Sequence, residues 1–345
     1  MPSTAIEAGP APERSARPAP GHPVRLALRL VVAAGLTAYI LWKSQPRLVL
    51  AAAAGADWRP MTLAVLLVLV DRALMACRWV LLLSVVDGPT RPPLAAVMRI
   101  FFVSTFVGTF LPASIGGDAV RAYSLARLNV RGGDAVASVF MDRMLGVASI
   151  LLMALVGLLL VRDLAGNWTI VGSLAVAAAG CVVTLLLVFS ARTAAAASFL
   201  IGRLPGALQH AGHRVLESIR RYAPFHRQLA NVLVCSIAVQ ALRIVQAYYL
   251  GRGLGLNVAL GMYFAFIPLI LLVMLLPITF NGIGTSQAAF VWFFARVGVE
   301  APSAFALSVI FVALGVVGNL PGGVLYVVGR KAVARTARRA PDLSA

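Results

Sequence analysis

The chain of 345 residues is poor in charge. Only 12% of it is Asp, Glu, Lys or Arg, about half the share of an ordinary soluble domain, which argues against a water-facing globular surface. Lysine is nearly missing: Lys43 and Lys331 are the only two, so almost all of the +18 net charge is arginine. Acidic residues number 12 and are scattered. That disfavours the paired acids with which membrane transferases hold metal-bound phosphates. The three cysteines, Cys77, Cys181 and Cys235, lie inside apolar runs without C-x-x-C spacing. No disulfide framework follows, and they are expected to be small buried hydrophobes. No H-E-x-x-H, G-x-S-x-G or P-loop stretch is present, so the chemistry of those motifs is not expected, and neither is a cofactor or a metal.

What remains is apolar. The chain is 60% hydrophobic with a mean hydropathy of +0.90. Apolar runs cover 24–42, 61–86, 94–111, 132–161, 168–190, 229–250, 258–280, 286–297 and 303–329. Several reach the ~18–20 residues that cross a hydrocarbon core, so the fold class is an all-α polytopic membrane protein. The arginines lie mostly in short loops, where they set topology and meet anionic headgroups; nucleic acid is not an expected partner. Residues 1–23 are Pro/Ala-rich without periodicity and read as a disordered tail. Residues 24–330 form the membrane domain, opening with a retained first helix, and 331–345 a basic C-terminal tail. The one long polar stretch, 191–228, carries Arg192, Arg203, Arg214, Arg220, Arg221 and Arg227 against Glu217. It is expected on the cytoplasmic face, partly as an amphipathic surface helix on anionic lipid. His210 and His213 within it have a metal pair's spacing but no third ligand.

Two stretches break the apolar pattern. In "TFLPASIGGDAVRAYSLAR" (109–127), Pro112 ends a helix and Gly116 and Gly117 permit a tight turn. The helix that follows, starting near Asp118, offers free N–H groups and a positive dipole end with Arg121 one turn in, the makings of an anion site. Asp118 reads either as the N-cap of that helix or as part of the site. "LLPITFNGIGTSQ" (275–287) repeats the pattern. Leu111, Pro112, Gly117 and Arg78 fall on Leu276, Pro277, Gly282 and Arg243 at one offset of 165 residues. This suggests an internal repeat, inverted if 94–128 enters the membrane from the cytoplasm and 258–297 from outside. Counting arginines barely separates that topology, about six full spans plus two re-entrant broken-helix hairpins, from one of eight to nine spans. The short run 286–297 favours the hairpins, because a span takes ~20 residues.

Asp71, Arg72, Arg78, Arg99, Asp142, Arg143 and Arg243 fall within or beside apolar runs. A central charge costs ~2.5–3.5 kcal/mol on insertion scales, so each needs a partner, water or a route to the interface. Arg99 can snorkel, and Arg72 can pair with Asp71 or snorkel. Arg78 and Arg243 are placed on opposite sides of the midplane by the inverted topology. There they act either as snorkelling residues or as two stations for a phosphate, dispensable for stability.

"FLPASIGGDAVRAYSLAR", "ASVFMDRMLGV", "LLPITFNGIGTSQAAF" and "CRWVLLL" resemble the flippase-like family built on the transmembrane region of lysylphosphatidylglycerol synthase, over roughly 24–330. The resemblance implies a multi-pass protein of a prokaryotic inner membrane; the arginine and lysine count in the hairpin topology puts both termini in the cytoplasm. Family members translocate aminoacylated phosphatidylglycerol or are linked to polyprenyl-phosphate sugars or hopanoids. The chain departs from the family where Arg-Glu usually follows Gly-x-Gly: Thr285, Ser286 and Gln287 stand there, and Gln287 cannot carry a proton or a charge. The soluble aminoacyl-transfer domain is expected to be absent. The expected function is a flippase of a phospholipid or lipid-linked sugar rather than an enzyme. An accessory subunit of a lipid- or glycan-modifying system, or a polyprenyl-phosphate-dependent transferase, is the alternative; a homodimer is compatible with each. The expected substrate-binding residues are Arg78, Pro112, Gly116, Gly117, Asp118, Arg121, Asp142, Arg143, Arg243, Gly282 and Gly284.

The topology is testable. A reporter cysteine in place of Ser3 should be protected from an impermeant thiol reagent in intact cells and react after permeabilisation. Labelling from outside would overturn the cytoplasmic N-terminus.

Overall fold

The computed structural model describes residues 54–84, 92–110, 115–128, 130–160, 166, 168–275 and 284–339. The expected tail 1–23, the first apolar run 24–42, Pro112 and Gly282 lie outside them. Within them every regular element is a helix, and the apolar runs become helices almost residue for residue. They are α1 (Trp58–Leu83), α2 (Leu94–Phe110), α3 (Ile115–Ala126), α4 (Gly132–Leu160), α5 (Trp168–Phe189), α6 (Ala191–Ile201), α7 (Gly206–Arg220), α8 (His226–Gly253), α9 (Leu260–Leu275), α10 (Thr285–Phe294) and α11 (Ala301–Arg339), with a 3-10 turn at Ala295–Val297. Asp57 starts α1 by accepting from Arg59 N at 2.9 Å.

Among the described residues, three helices, Gly132–Leu160, His226–Gly253 and Ala301–Val327, are long and apolar enough to cross a membrane. Helix α1 has the length, 26 residues, but holds Asp71, Arg72 and Arg78 in its interior turns. Polarity is inside out. Leu66, Val70, Leu159, Val176 and Val324 are exposed on the flanks, whereas Asp71, Arg78, Arg121 and Asp142 are each no more than 6% exposed. Such a surface suits lipid, because hydrocarbon solvates leucine and rejects a guanidinium.

The order long, short, short, long of α1–α4 recurs in α8–α11, with α5–α7 between them. The packing recurs too. Helix α2 lies on α11 as α9 lies on α4, α3 on α4 as α10 on α11, and α1 packs on α8. Helices α1 and α8 run antiparallel, since Asp57 N donates to Gly253 O at 2.8 Å while Arg78, near the other end of α1, donates to Ser236. The 165-residue offset also links the two tightest backbone approaches at glycines. A Cβ on Gly157 of α4 would come within 2.7 Å of Ala265 Cα, and one on Gly322 of α11 would run into Phe102 O.

The short helices form two packed pairs. Gly108 of α2 and Gly117 of α3 touch backbone to backbone, a Cβ on either meeting the other's Cα at 2.9 and 3.1 Å. Helices α9 and α10 are joined by rings instead, with Tyr263 5.2 Å from Phe294 and Phe266 5.5 Å from Phe293. The polar stretch 191–228 is mostly two helices rather than one. Helix α6 leaves α5 at a bend of 97°. Helix α7 docks on the start of α4 over Gly133, where Arg221 pairs with Asp134 at 3.2 Å. Tyr222 is buried beside that pair; desolvation first, then the carboxylates of Asp134 and Asp142, push its phenol well above the usual range, so it stays a neutral packing ring.

The glycine crossings carry a prediction. Gly157→Ala and Gly322→Ala should each cost roughly 1–3 kcal/mol of overpacking, with Gly322→Ala the worse. Gly172→Ala, at an open exposed position, should be neutral or slightly stabilising. Thermal unfolding in detergent reads all three; equal behaviour would contradict the close approach.

Candidate functional site

Asp142 lies on α4 where that helix faces α1 and α3. Its Oδ1 accepts from Arg78 Nε at 2.8 Å and lies 2.7 Å from Arg78 Nη2, and its Oδ2 accepts from Arg121 Nη1 at 3.0 Å. Arg78 reaches on to Ser236 Oγ of α8 at 3.2 Å. The Arg121 guanidinium also lies over two rings, 5.1 Å from the Trp79 centroid and 4.7 Å from that of Phe101, contacts that favour a cation once water is excluded. One residue on, Arg143 turns to Asp118, donating from Nε at 3.1 Å and from Nη2 to Asp118 Oδ2.

A second shared carboxylate mirrors the first. Asp71 on α1 has Arg72 Nη1 3.4 Å from Oδ2 and Arg243 Nε of α8 3.3 Å from Oδ1. Arg78 of α1 thus reaches residue 236 of α8, and Arg243 of α8 reaches residue 71 of α1, both pairs related by the 165-residue offset. Met75 Sδ is near both Arg72 Nη1 at 3.4 Å and Arg243 Nη2 at 3.1 Å, which brings these head groups to one level.

The groups line a cavity of about 300 Å³. Its wall takes Arg72 and Arg78 from α1, Gly108 and Thr109 from the end of α2, Gly117, Asp118 and Arg121 from α3, and Asp142 and Arg143 from α4. Gln240 and Arg243 come from α8, Leu275 from the end of α9 and Asn319 from α11. Both broken pairs therefore abut the same space. Asp71 and Gln246 stand in an adjoining pocket that shares Arg72, Arg243, Thr109 and Asn319. Several buried polar atoms here have no hydrogen-bond partner: the donors Arg72 Nε, Arg121 Nε and Gln246 Nε2, and the acceptors Gln240 Oε1 and Asn319 Oδ1. In a membrane interior such atoms are costly unless water or a polar ligand meets them.

The lysylphosphatidylglycerol synthase TM region matches residues 26–322. The chain belongs to that family. No curated protein matches it. With its apolar helices, family membership makes the chain a multi-pass membrane protein. Of the residues expected from sequence, the lysylphosphatidylglycerol synthase-type core brings Arg78, Gly117, Asp118, Arg121, Asp142, Arg143 and Arg243 to one cavity. Gly116 is half-buried in the first turn of α3, beside the wall rather than among its lining residues. Gly284 precedes α10 at φ +92°; its N–H donates to the Gln287 side chain, which also accepts from Ser286 Oγ at 2.9 Å. Gln287, where the family usually has an acid, is thus a buried cap of α10.

Three expectations are corrected. The cysteines are not uniformly buried: Cys77 is exposed on α1, and Cys181 and Cys235 are partly exposed. Asp118 is not an N-cap: α3 begins at Ile115, and the carboxylate turns across to Arg143. Arg78 and Arg243 line one cavity. Neither is a snorkelling residue indifferent to stability, since each pairs with an aspartate inside the helix bundle. Sequence reasoning undervalued Arg72 and missed Gln240 as a lining residue and Asn319 altogether. Asn319 Nδ2 donates to Thr109 Oγ1 at 2.8 Å. The available signal was "NLPGG" at 319–323, a third Leu-Pro-Gly stretch, which here lies within α11 against Phe102 and Phe106.

Asp142→Asn should be the most damaging single change in the cluster. It leaves Arg78 and Arg121 buried against an amide and should cost about 3–5 kcal/mol, the range for breaking a buried pair. Asp118→Asn, at a half-exposed pair, should cost about 1 kcal/mol or less. Thermal unfolding of purified protein compares them; an equal loss would deny Asp142 its central role.

Proposed function

We propose that this protein moves a lipid with a phosphate-bearing headgroup, a phospholipid or a lipid-linked sugar, between the leaflets of a prokaryotic inner membrane. The observation that carries the reading is the cavity: five arginines gathered inside an apolar bundle where two broken helix pairs end. Arginine suits the task, because its planar fork grips phosphate oxygens and keeps its charge when buried. The start of α3 adds a positive dipole end. On this reading the headgroup crosses through the polar cavity while the acyl chains stay in lipid along the exposed leucines and valines.

The proposed topology has both termini cytoplasmic, with α2–α3 entering from the cytoplasm and α9–α10 from outside. Sixteen and 17 residues make α9 and α2, fewer than the ~20 that a span takes. Broken helices in inverted halves are where transporters place their midplane sites. Arg192, Arg203, Arg214 and Arg227, exposed on and beside α6 and α7, would meet anionic headgroups of the cytoplasmic leaflet. Lipid would be moved without chemical change.

The test is translocation of a fluorescent phospholipid in vesicles containing the purified protein. Arg121→Lys keeps the charge opposite Asp142 but loses the fork. It should slow translocation roughly tenfold, the loss of a charge-assisted hydrogen bond of about 1.5 kcal/mol, with the melting temperature nearly kept. Unchanged translocation in that variant would remove Arg121 from the path.

A further inference from the structure

The charges around the cavity do not cancel, and the manner of the imbalance is informative. Among the described residues, five guanidiniums, Arg72, Arg78, Arg121, Arg143 and Arg243, face three carboxylates, Asp71, Asp118 and Asp142. Arg143 and Asp118 pair one to one. Asp142 is shared by Arg78 and Arg121, and Asp71 by Arg72 and Arg243. Each shared aspartate neutralises one of its two arginines, so each cluster keeps one positive charge. Each also keeps one buried guanidinium donor without a partner, Arg121 Nε in the first and Arg72 Nε in the second. The other lining elements, α2, α9 and α11, contribute no charged side chain to the wall. The breaks 111–114 and 276–283 contain none in sequence.

Resting on the proposed function, we infer that the cavity is built for a dianionic headgroup: two negative charges on phosphate oxygens and no ammonium. A buried site with two uncompensated cations favours the ligand that cancels both, because charges in a low-dielectric interior interact strongly and are costly when unpaired. A monoanionic phosphodiester leaves one guanidinium uncompensated. A headgroup with an added ammonium, as on an aminoacylated lipid, meets no available carboxylate, since all three aspartates already hold arginine. The two charges can sit on one phosphorus, as in a phosphate monoester, or on two, as in a bis-phosphodiester.

Native mass spectrometry of the full-length protein in detergent can test this, titrating phosphatidic acid, cardiolipin, phosphatidylglycerol, phosphatidylcholine and lysyl-phosphatidylglycerol of matched chains. Phosphatidic acid, cardiolipin or both should bind at least tenfold more tightly than phosphatidylglycerol at pH 8. The lysyl lipid should bind no better than phosphatidylcholine. Which dianion wins tells one phosphorus from two. Phosphatidic acid should bind more weakly at pH 5.5 than at pH 8, because the second ionisation of a phosphate monoester lies near pH ~6 and no histidine among the described residues lines the cavity. Arg243→Gln removes one surplus charge while leaving Asp71 its partner Arg72, so it should fold and should shrink the dianion preference severalfold. Equal affinity for phosphatidylglycerol and both dianions, all above phosphatidylcholine, would overturn the inference and leave phosphate-lipid binding standing. A preference for the lysyl lipid, an unaltered preference in Arg243→Gln or, where phosphatidic acid is the preferred dianion, an affinity for it unchanged with pH would also overturn it. No lipid binding above phosphatidylcholine would overturn the proposed function with it.

Discussion

The Asp142 carboxylate, shared between Arg78 and Arg121 inside an apolar bundle, is the interaction on which the rest of the structure turns. One carboxylate joins α1, α3 and α4, and through Arg78 and Ser236 reaches α8. An unpaired arginine at this depth would be expelled toward the interface or would draw in water. The pairing allows α1 to keep Arg78 in an interior turn and still pack against α8. It also fixes the guanidinium planes, since the aspartate holds two arginines by directed hydrogen bonds rather than by charge alone. The positive character of the cavity is therefore pre-set by the fold.

The second constraint is close approach. Charges can converge from several helices only if the backbones come near one another. Gly157 against Ala265, Gly322 against Phe102 and Gly108 against Gly117 supply those approaches. Small residues at crossings are the usual means in a membrane, where lipid competes with side chains for apolar contact. Two of the three crossings are equivalent at the 165-residue offset, as are the reciprocal Arg78–Ser236 and Arg243–Asp71 contacts. The halves share a backbone design but differ chemically, with aspartate in one and serine in the other. A symmetric scaffold thus holds an asymmetric charge pattern, and that asymmetry produces the unbalanced site.

Family membership bears on the scaffold more directly than on the cargo. The match covers residues 26–322, which includes every element lining the cavity. Gln287 carries no charge, and its amide caps α10. The charge that defines the cavity comes instead from α1, α3, α4 and α8.

Composition and periodicity were enough for the membrane class and for the helix spans: the runs 94–111, 132–161 and 168–190 became Leu94–Phe110, Gly132–Leu160 and Trp168–Phe189. Burial of the backbone in lipid leaves helices as the means by which such runs satisfy their own hydrogen bonds, so a one-dimensional pattern decides them. The helix ends at Phe110 and Leu275 fall just before the Leu-Pro pairs at 111–112 and 276–277, whereas Pro321 of the third such stretch lies inside α11. Which arginine meets which aspartate was not legible. Asp71 and Arg243 lie far apart in the chain, as do Arg78 and Asp142, and nothing local distinguishes a paired guanidinium from a snorkelling one. Arg72 and Asn319 were underrated or missed for that reason, and Asp118 was misplaced because its partner sits on another helix. Charge compensation depends on distances between helices, and those were decided only when α1, α3, α4 and α8 packed around one space.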